Sequence, residues 1–388
     1  MKKLTPLLAL ALLTASFSSD TKISGDDLKI NQVQVIATHN SYHLTTDKAL
    51  LRFIKNLYAI HLLPKDDNPA ELDYTKDPLA VQLGQYNVRG VELDVWSDPE
   101  GGRFYHRKGK SYVWKVTASH VEALKKPGFK ILHIPDIDFN TTNYTFVDAL
   151  AEIKKWSDAN PQHLPLFINV ESETKATGDH KGAPKNLTHA APFDSLALEA
   201  LDNEVKSVFG QNLNGVITPD VVRGNYATLE QAVLAGNWPT VAAARGKVIF
   251  IIDEHDRVGE LYKAGHPSYK GRAMFVYLPQ GGSPEAAFII HNGPVKGQEK
   301  IIADVKKGYI VRTRSDGGSM QARNGDYSEM EAAFSSGAQI ISTDYYKPDA
   351  RAGQKGWSDY HVIFPQGSMA RVDTIAQHTI TLPLPVKE

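Results

Sequence analysis

The chain has 388 residues, 42% of them apolar, which is enough to bury a sizeable core in one large domain or two ordinary ones. Its formal charge is −1 with acids and bases well mixed, which argues against a nucleic-acid partner and against a strong electrostatic hold on acidic membranes. It contains no cysteine, so a disulfide framework and a lipoprotein anchor are both excluded.

In chain order, Met1–Asp20 carries Lys2 and Lys3, then the apolar run Leu7–Leu13, then small residues. That pattern predicts a secretory signal peptide over 1–20, too short to persist as a membrane span. The expectation is a secreted or periplasmic bacterial protein whose residues 21–388 form a single domain, with a core over about 33–345 and a C-terminal extension over 346–388. No later stretch reaches the ~18 apolar residues of a membrane span.

Strands are expected near 33–38, 90–95, 129–134, 165–171, 247–252, 286–291, 309–313 and 338–343. Helical spacing appears between them, most clearly over Phe146–Ile153, and also over Asp47–Leu63, Ser195–Val208, Thr228–Leu234 and Asp326–Phe334. The segments Leu44–Val81, Ser172–Phe193, Asp253–Arg272 and Tyr345–Gln366 read as long connections, and Thr379–Leu382 alternates like an extra edge strand. Repeated strand–helix units imply a parallel sheet, and about eight of them imply an α/β fold closed as a (β/α)8 barrel of the triosephosphate-isomerase type. Active sites of such barrels lie at the C-terminal ends of the strands.

Chemistry collects at those ends. The first strand runs into Thr38-His39-Asn40-Ser41-Tyr42-His43, and the second is Gly90-Val91-Glu92-Leu93-Asp94-Val95-Trp96. Glu92 and Asp94 sit two apart, so a strand points both carboxylates to one face. Carboxylate and amide oxygens suit a hard cation such as calcium, and a histidine beside them suits proton transfer. Arg312 and Arg314 share one face of the seventh strand, a placement fit for a phosphodiester or for pairing inward acids. Asp344 ends the eighth strand and is placed to bond a histidine or cap a helix. Asp136, Asp138, Asp253, Glu254 and His133 are further polar residues near strand ends.

These strings resemble the calcium-dependent phosphoinositide phospholipases C. That family opens its barrel with His-Asn, continues with Glu-x-Asp in a Val-Glu-Leu-Asp context, then a histidine, and ends a later parallel strand with Glu. The same order here reads His39-Asn40, Glu92-Leu93-Asp94, His106 and Glu171. His-Asn-Ser-Tyr-His and the late Ser342-Thr343-Asp344-Tyr345 are similar to the secreted bacterial branch. The resemblance implies Ca2+ held by Asn40, Glu92, Asp94 and Glu171, with Glu173 as an alternative fourth ligand. It implies that His39 hydrogen-bonds the phosphoryl group, that His106 protonates the leaving oxygen, and that Arg312, Arg314 and Asp344 bind substrate. The reaction implied is cleavage of phosphatidylinositol or a related inositol phosphodiester, a neighbouring hydroxyl being the nucleophile. Diacylglycerol and a cyclic inositol phosphate are the products, with transient contact at a membrane surface. Two alternatives stand beside it: a glycerophosphodiester phosphodiesterase, which usually opens with His-Arg-Gly, and a catalytically silent barrel that binds a lipid headgroup or glycan.

Overall fold

The computed structural model describes residues 25–61, 68–113, 116–181, 183–376 and 386–387. The expected signal peptide and the alternating Thr379–Leu382 segment lie outside these residues. Ten strands are formed: β1 (Val33–Thr38), β2 (Gly90–Trp96), β3 (Lys130–Ile131), β4 (Leu166–Ser172), β5 (Val248–Ile252), β6 (Phe275–Leu278), β7 (Phe288–Ile290), β8 (Ile310–Arg314), β9 (Ile340–Thr343) and β10 (Ala370–Val372).

Eight of them run parallel and close on themselves as a (β/α)8 barrel, in the order β1, β2, β4, β5, β6, β7, β8, β9 and back to β1. β9 joins β1 over four residue pairs, from Val35↔Ile340 to Thr38↔Thr343. β1 and β2 meet at Ala37↔Gly90. The approach there demands glycine, because a Cβ on Gly90 would lie 2.4 Å from the Ala37 Cβ.

The expected third strand, 129–134, is corrected. Only Lys130–Ile131 is extended, and it pairs antiparallel with the end of β2 rather than entering the barrel. The missing stave is β6, which the sequence reading assigned to no element. Its connection to β7, Pro279–Ala287, contains no helix, so the strand–helix alternation that marks the other staves is absent there.

The expected helices form, and their faces follow the packing. Phe146–Ala159 buries Phe146, Ala149, Leu150 and Ile153, one stripe at helical spacing. Its start is set by Thr145, whose hydroxyl accepts from the Asp148 N–H at 3.1 Å. Inside the barrel, Phe167, Phe275, Tyr277 and Phe288 fill the bore. The Phe288 ring centre lies 4.8 Å from Phe275, 6.0 Å from Tyr277 and 6.4 Å from Phe167. This aromatic plug closes the barrel beneath the polar layer that Glu92, Asn169 and Arg312 begin.

β10 covers β1 antiparallel, and Asp373 follows it, buried. Burial pushes the Asp373 carboxyl up to about 7, against the N–H groups of Ile375 and Ala376 and the charge of Arg371. A raised folded pKa favours the protonated form. The unfolded chain therefore gains stability relative to the fold as pH rises from the ordinary aspartate range to about 7. Asp373→Asn should match the wild type near pH 4 and be the more stable protein above pH 7, by at most ~4 kcal/mol. Denaturant unfolding at several pH values checks this, and a pH-independent difference would contradict it.

Candidate active site

Strand register assembles the acidic cluster. β2 and β4 pair so that Glu92 stands opposite Asn169 and Asp94 opposite Glu171. Glu92 and Asp94 are each 1% exposed. Glu92 Oε2 accepts from Asn169 Nδ2 at 2.8 Å and from Arg312 Nη2. Arg312 Nη1 also reaches Asp253 at 3.3 Å and Asn292 at 3.2 Å. Burial alone would raise the Glu92 carboxyl, but Arg312, then His39, Arg314 and the Asn169 amide, hold it down at about 2.

Its neighbours lack such a partner. Burial, then the charges of Glu171, Glu173 and Glu92, push Asp94 well above the carboxylate range. Burial, Glu92, Asp253 and Glu173 do the same to Glu171. Burial raises Glu173 to about 7, helped by Glu92 and Glu254 and opposed by His133. Oxygens of Glu92, Glu171 and Asp253 lie within 4.8 Å of one another.

Asn40 completes the oxygen set from a left-handed backbone (φ 43°) that asparagine tolerates. Its amide nitrogen donates to the Tyr74 hydroxyl at 3.1 Å, while its amide oxygen faces both Asp94 carboxylate oxygens at 3.1–3.2 Å. An acceptor facing acceptors fits two states, the amide turned over or a cation held between the oxygens. The buried Asn169 Oδ1 has no hydrogen-bond partner among the described residues. An all-oxygen donor set, short of positive charge and with an orphaned carbonyl oxygen, fits a hard divalent cation such as calcium.

The first motif builds much of this frame. Thr38 and Ser41 bond through their hydroxyls at 2.6 Å, and Ser41 Oγ accepts from the Glu92 N–H at 2.8 Å. The Tyr42 hydroxyl donates to Asp94 at 2.5 Å. His43 Nε2 bonds Asp138 at 2.6 Å.

Two histidine–aspartate pairs flank the oxygens. His39 Nδ1 bonds Asp344 Oδ1 at 2.8 Å, and its Nε2 faces Arg314 Nη1 at 3.2 Å. Nε2 also lies 3.4 Å from Glu92 Oε1 and Nδ1 3.2 Å from Arg314 Nη2, and the short Asp344 contact favours a proton on Nδ1. Burial, then Arg314, lowers the His39 pKa against the pull of Asp344 and Glu92. Arg314 Nη2 also donates to Asp344 at 3.1 Å. His133 Nδ1 bonds Asp138 at 2.8 Å. Burial lowers His133, but the Asp138 hydrogen bond and charge, with Glu173 and Asp344, outweigh it and raise the pKa. His39 and His133 are 20% and 24% exposed, so both can be reached, whereas His43 at 0% cannot.

The structure does not bring His106 to this cluster. The residues after β2 carry it outward to an exposed position, where it bonds Thr117 at 3.2 Å and lines a surface cavity with Arg103, Lys108 and His189. His133 instead lies within electrostatic reach of Glu173 and Asp344. Arg312 and Arg314 do share one strand face, but Arg312 is engaged by Glu92 and Asp253, which leaves Arg314 at the rim. Tyr74, Lys76 and His43 also join the site. Of these only His43 stood in a recognisable motif.

A family model for calcium-dependent phosphoinositide phospholipase C matches residues 28–374. The chain belongs to that family. Among solved structures, this phospholipase C relative resembles the calcium-dependent phosphoinositol-specific phospholipase C of Pseudomonas sp. (apo form, myo-inositol complex). The TM-score is 0.50 at 14% identity, covering 90% of this chain and 96% of that one. The phosphatidylinositol-specific enzyme of Streptomyces antibioticus gives 0.49 at 15% identity, covering 82% and 95%. A putative glycerophosphoryl diester phosphodiesterase of Silicibacter pomeroyi gives 0.36 at 12% identity, covering 81% and 90%. No curated protein matches the chain.

Family membership and the cluster both point to Ca2+. Calorimetric titration of the chelator-treated protein should show one calcium site. Asp94→Asn or Glu171→Gln should weaken it at least ~10-fold while leaving the fold intact, each removing one charged oxygen. Unchanged affinity in both variants would place the cation elsewhere.

Proposed function

We propose that the protein cleaves phosphatidylinositol, or a closely related inositol phosphodiester, with the substrate's neighbouring hydroxyl as nucleophile. The observation carrying this is the pair of accessible imidazoles whose surroundings push them apart. The surroundings lower the pKa of His39 and raise that of His133, beside an oxygen-rich cluster of carboxylates. Titratable groups separated in this way are a base and an acid.

In this reading Asn40, Glu92, Asp94 and Glu171 hold Ca2+, which lowers the pKa of a coordinating hydroxyl and offsets charge on the phosphoryl oxygens. Asp344 keeps the proton of His39 on Nδ1, so Nε2 is free to accept the proton of the attacking hydroxyl once a phosphate draws Arg314 away. The hydroxyl oxygen bonds to phosphorus as the bond to the diacylglycerol oxygen breaks. His133, oriented by Asp138 through Nδ1, donates its Nε2 proton to that departing oxygen. The general-acid role thus passes from His106 to His133, and His39 gains the general-base role. Arg314 binds the phosphate, while Arg312 balances the charge of Glu92 and Asp253. The step leaves the proton on His39 and removes one from His133, and proton exchange with water at the accessible rings would restore both before the next turnover.

Exported action at a lipid surface belongs to the same reading. Among the described residues no helix is long and apolar enough to cross a membrane. Ile60, Tyr112 and Val116 are 64%, 47% and 61% exposed on the connections after β1 and β2, which emerge on the site's face of the barrel. Phe53 stacks on Tyr112 at 5.8 Å and ties these two connections together. Exposed apolar residues on this face support transient contact with a bilayer.

The test is a headgroup panel followed by phosphorus NMR, with and without a chelator. Phosphatidylinositol should yield cyclic inositol phosphate in calcium only. Selective turnover of glycerophosphodiesters instead would overturn the proposal. Variants test the roles. His39→Ala should lose ~10²-fold or more in kcat. His133→Ala should be similarly slow on phosphatidylinositol but partly rescued on an inositol phosphate ester of nitrophenol, whose leaving group needs no proton. His106→Ala should act like the wild type. A large loss there with His133→Ala unaffected would return the acid role to His106.

A further inference from the structure

The connection from β1 to β2 carries Tyr74-Thr75-Lys76, a segment that belongs to no catalytic motif and to no helix or strand. Both long side chains are nevertheless buried, Tyr74 at 4% and Lys76 at 2% exposure. A buried lysine is costly unless it is paired. Lys76 Nζ donates to the Asp344 carbonyl at 2.6 Å and lies 3.6 Å from the Asp344 carboxylate. Its ammonium also sits 5.0 Å from the Tyr74 ring centre and 5.8 Å from that of Tyr346. Tyr74 stacks on His43 with ring centres 4.2 Å apart, and its hydroxyl meets Asn40 at 3.1 Å.

The segment is fastened at both ends. Asp73 pairs with Lys55 at 2.7 Å and Arg351 at 2.8 Å. Asp77 accepts from the Tyr346 hydroxyl at 2.7 Å and pairs with Lys347 at 2.5 Å. Between them, Thr45 Oγ1 donates to the Tyr74 carbonyl at 2.6 Å, and the Lys76 N–H donates to the His43 carbonyl at 2.9 Å. Three parts of the site therefore lean on one short stretch of chain: Asn40, the His43–Asp138 pair behind His133, and the Asp344 behind His39.

We infer that Tyr74–Lys76 is a positioning strap, in which Tyr74 sets Asn40 for the cation and Lys76 fixes the aspartate that orients His39. The inference rests on the proposed roles of Asn40 and His39 and adds two residues outside the proposed ligand and acid–base sets. It divides the strap's work into two separable effects, one on calcium affinity and one on turnover. Groups that orient ligands and bases in this way typically carry 10–100-fold of affinity or activity.

Tyr74→Phe and Lys76→Met separate them. The measurements are calcium titration by calorimetry, kcat and KM on a soluble short-chain inositol phosphodiester at saturating calcium, and the imidazole proton–nitrogen spectrum. Y74F should bind calcium about tenfold more weakly with kcat within about twofold and the His39 signals unmoved. K76M should lose at least about tenfold in kcat at unchanged KM and calcium affinity, with the His39 Nδ1–H resonance displaced. Wild-type calcium affinity in Y74F together with wild-type kcat and His39 signals in K76M would overturn the strap. So would a rise in KM alone for K76M, which would make Lys76 a substrate contact. If K76M does not fold, Y74F, which differs by one hydroxyl, decides by its calcium titration. If the wild type turns over no inositol lipid, the proposed reaction fails, yet the calcium and imidazole measurements still decide the strap.

Discussion

The site is governed by crowded negative charge at the mouth of the barrel. Glu92 and Asp94 lie within β2, Glu171 near the end of β4, and Glu173 and Asp253 directly after β4 and β5, and period-two alternation turns the strand positions to one face. Arg312 pairs with two of these acids and leaves the others without a cation among the described ion pairs. Two like charges about 4 Å apart cost ~4 kcal/mol at an effective dielectric of 20, so full ionisation of the cluster is unfavourable. Protons on Asp94 and Glu171, or a bound divalent cation, resolve that repulsion.

The same field separates the two accessible histidines. His39 lies against a guanidinium and an aspartate, His133 against an aspartate and the acidic rim. Both rings are buried to a similar degree, so the difference comes from their partners. Arg314 opposes protonation of His39, while Asp138 promotes protonation of His133. Asp344 and Asp138 each bond an Nδ1 atom, which in the proposed mechanism leaves the Nε2 atoms for proton transfer. One arrangement of fixed charges thus shifts two identical side chains in opposite directions.

Rigidity comes from below and from the side. The aromatic plug of Phe167, Phe275, Tyr277 and Phe288 fixes the bore under the polar layer. Thr38, Ser41 and Tyr42 tie the first motif to β2, and the Tyr74–Lys76 segment braces it from the other flank. Much of the polar bonding converges on Asn40, Asp94 and their immediate neighbours, as the proposed ligand roles of these residues require.

Strand–helix alternation along the chain was sufficient to expect the barrel, because each stave except β6 is a short apolar run set off by a helical stretch or a long connection. Glu92 and Asp94 were legible as partners because strand geometry places residues two apart on one face whatever surrounds them. His39 and Asn40 were legible because they end an apolar strand. Order and spacing along the chain also suggested His106, which the fold places away from the carboxylates. Twelve residues past Asp94 the chain has already turned outward, whereas His133, after the short β3, returns to the rim. Lys76 carried no signal, since its partner Asp344 lies 268 residues away and meets it only after β9 closes against β1. Local periodicity therefore determined which residues point inward. Barrel closure and the course of the loops decided which of them meet, because contacts between distant segments depend on the whole path of the chain between them.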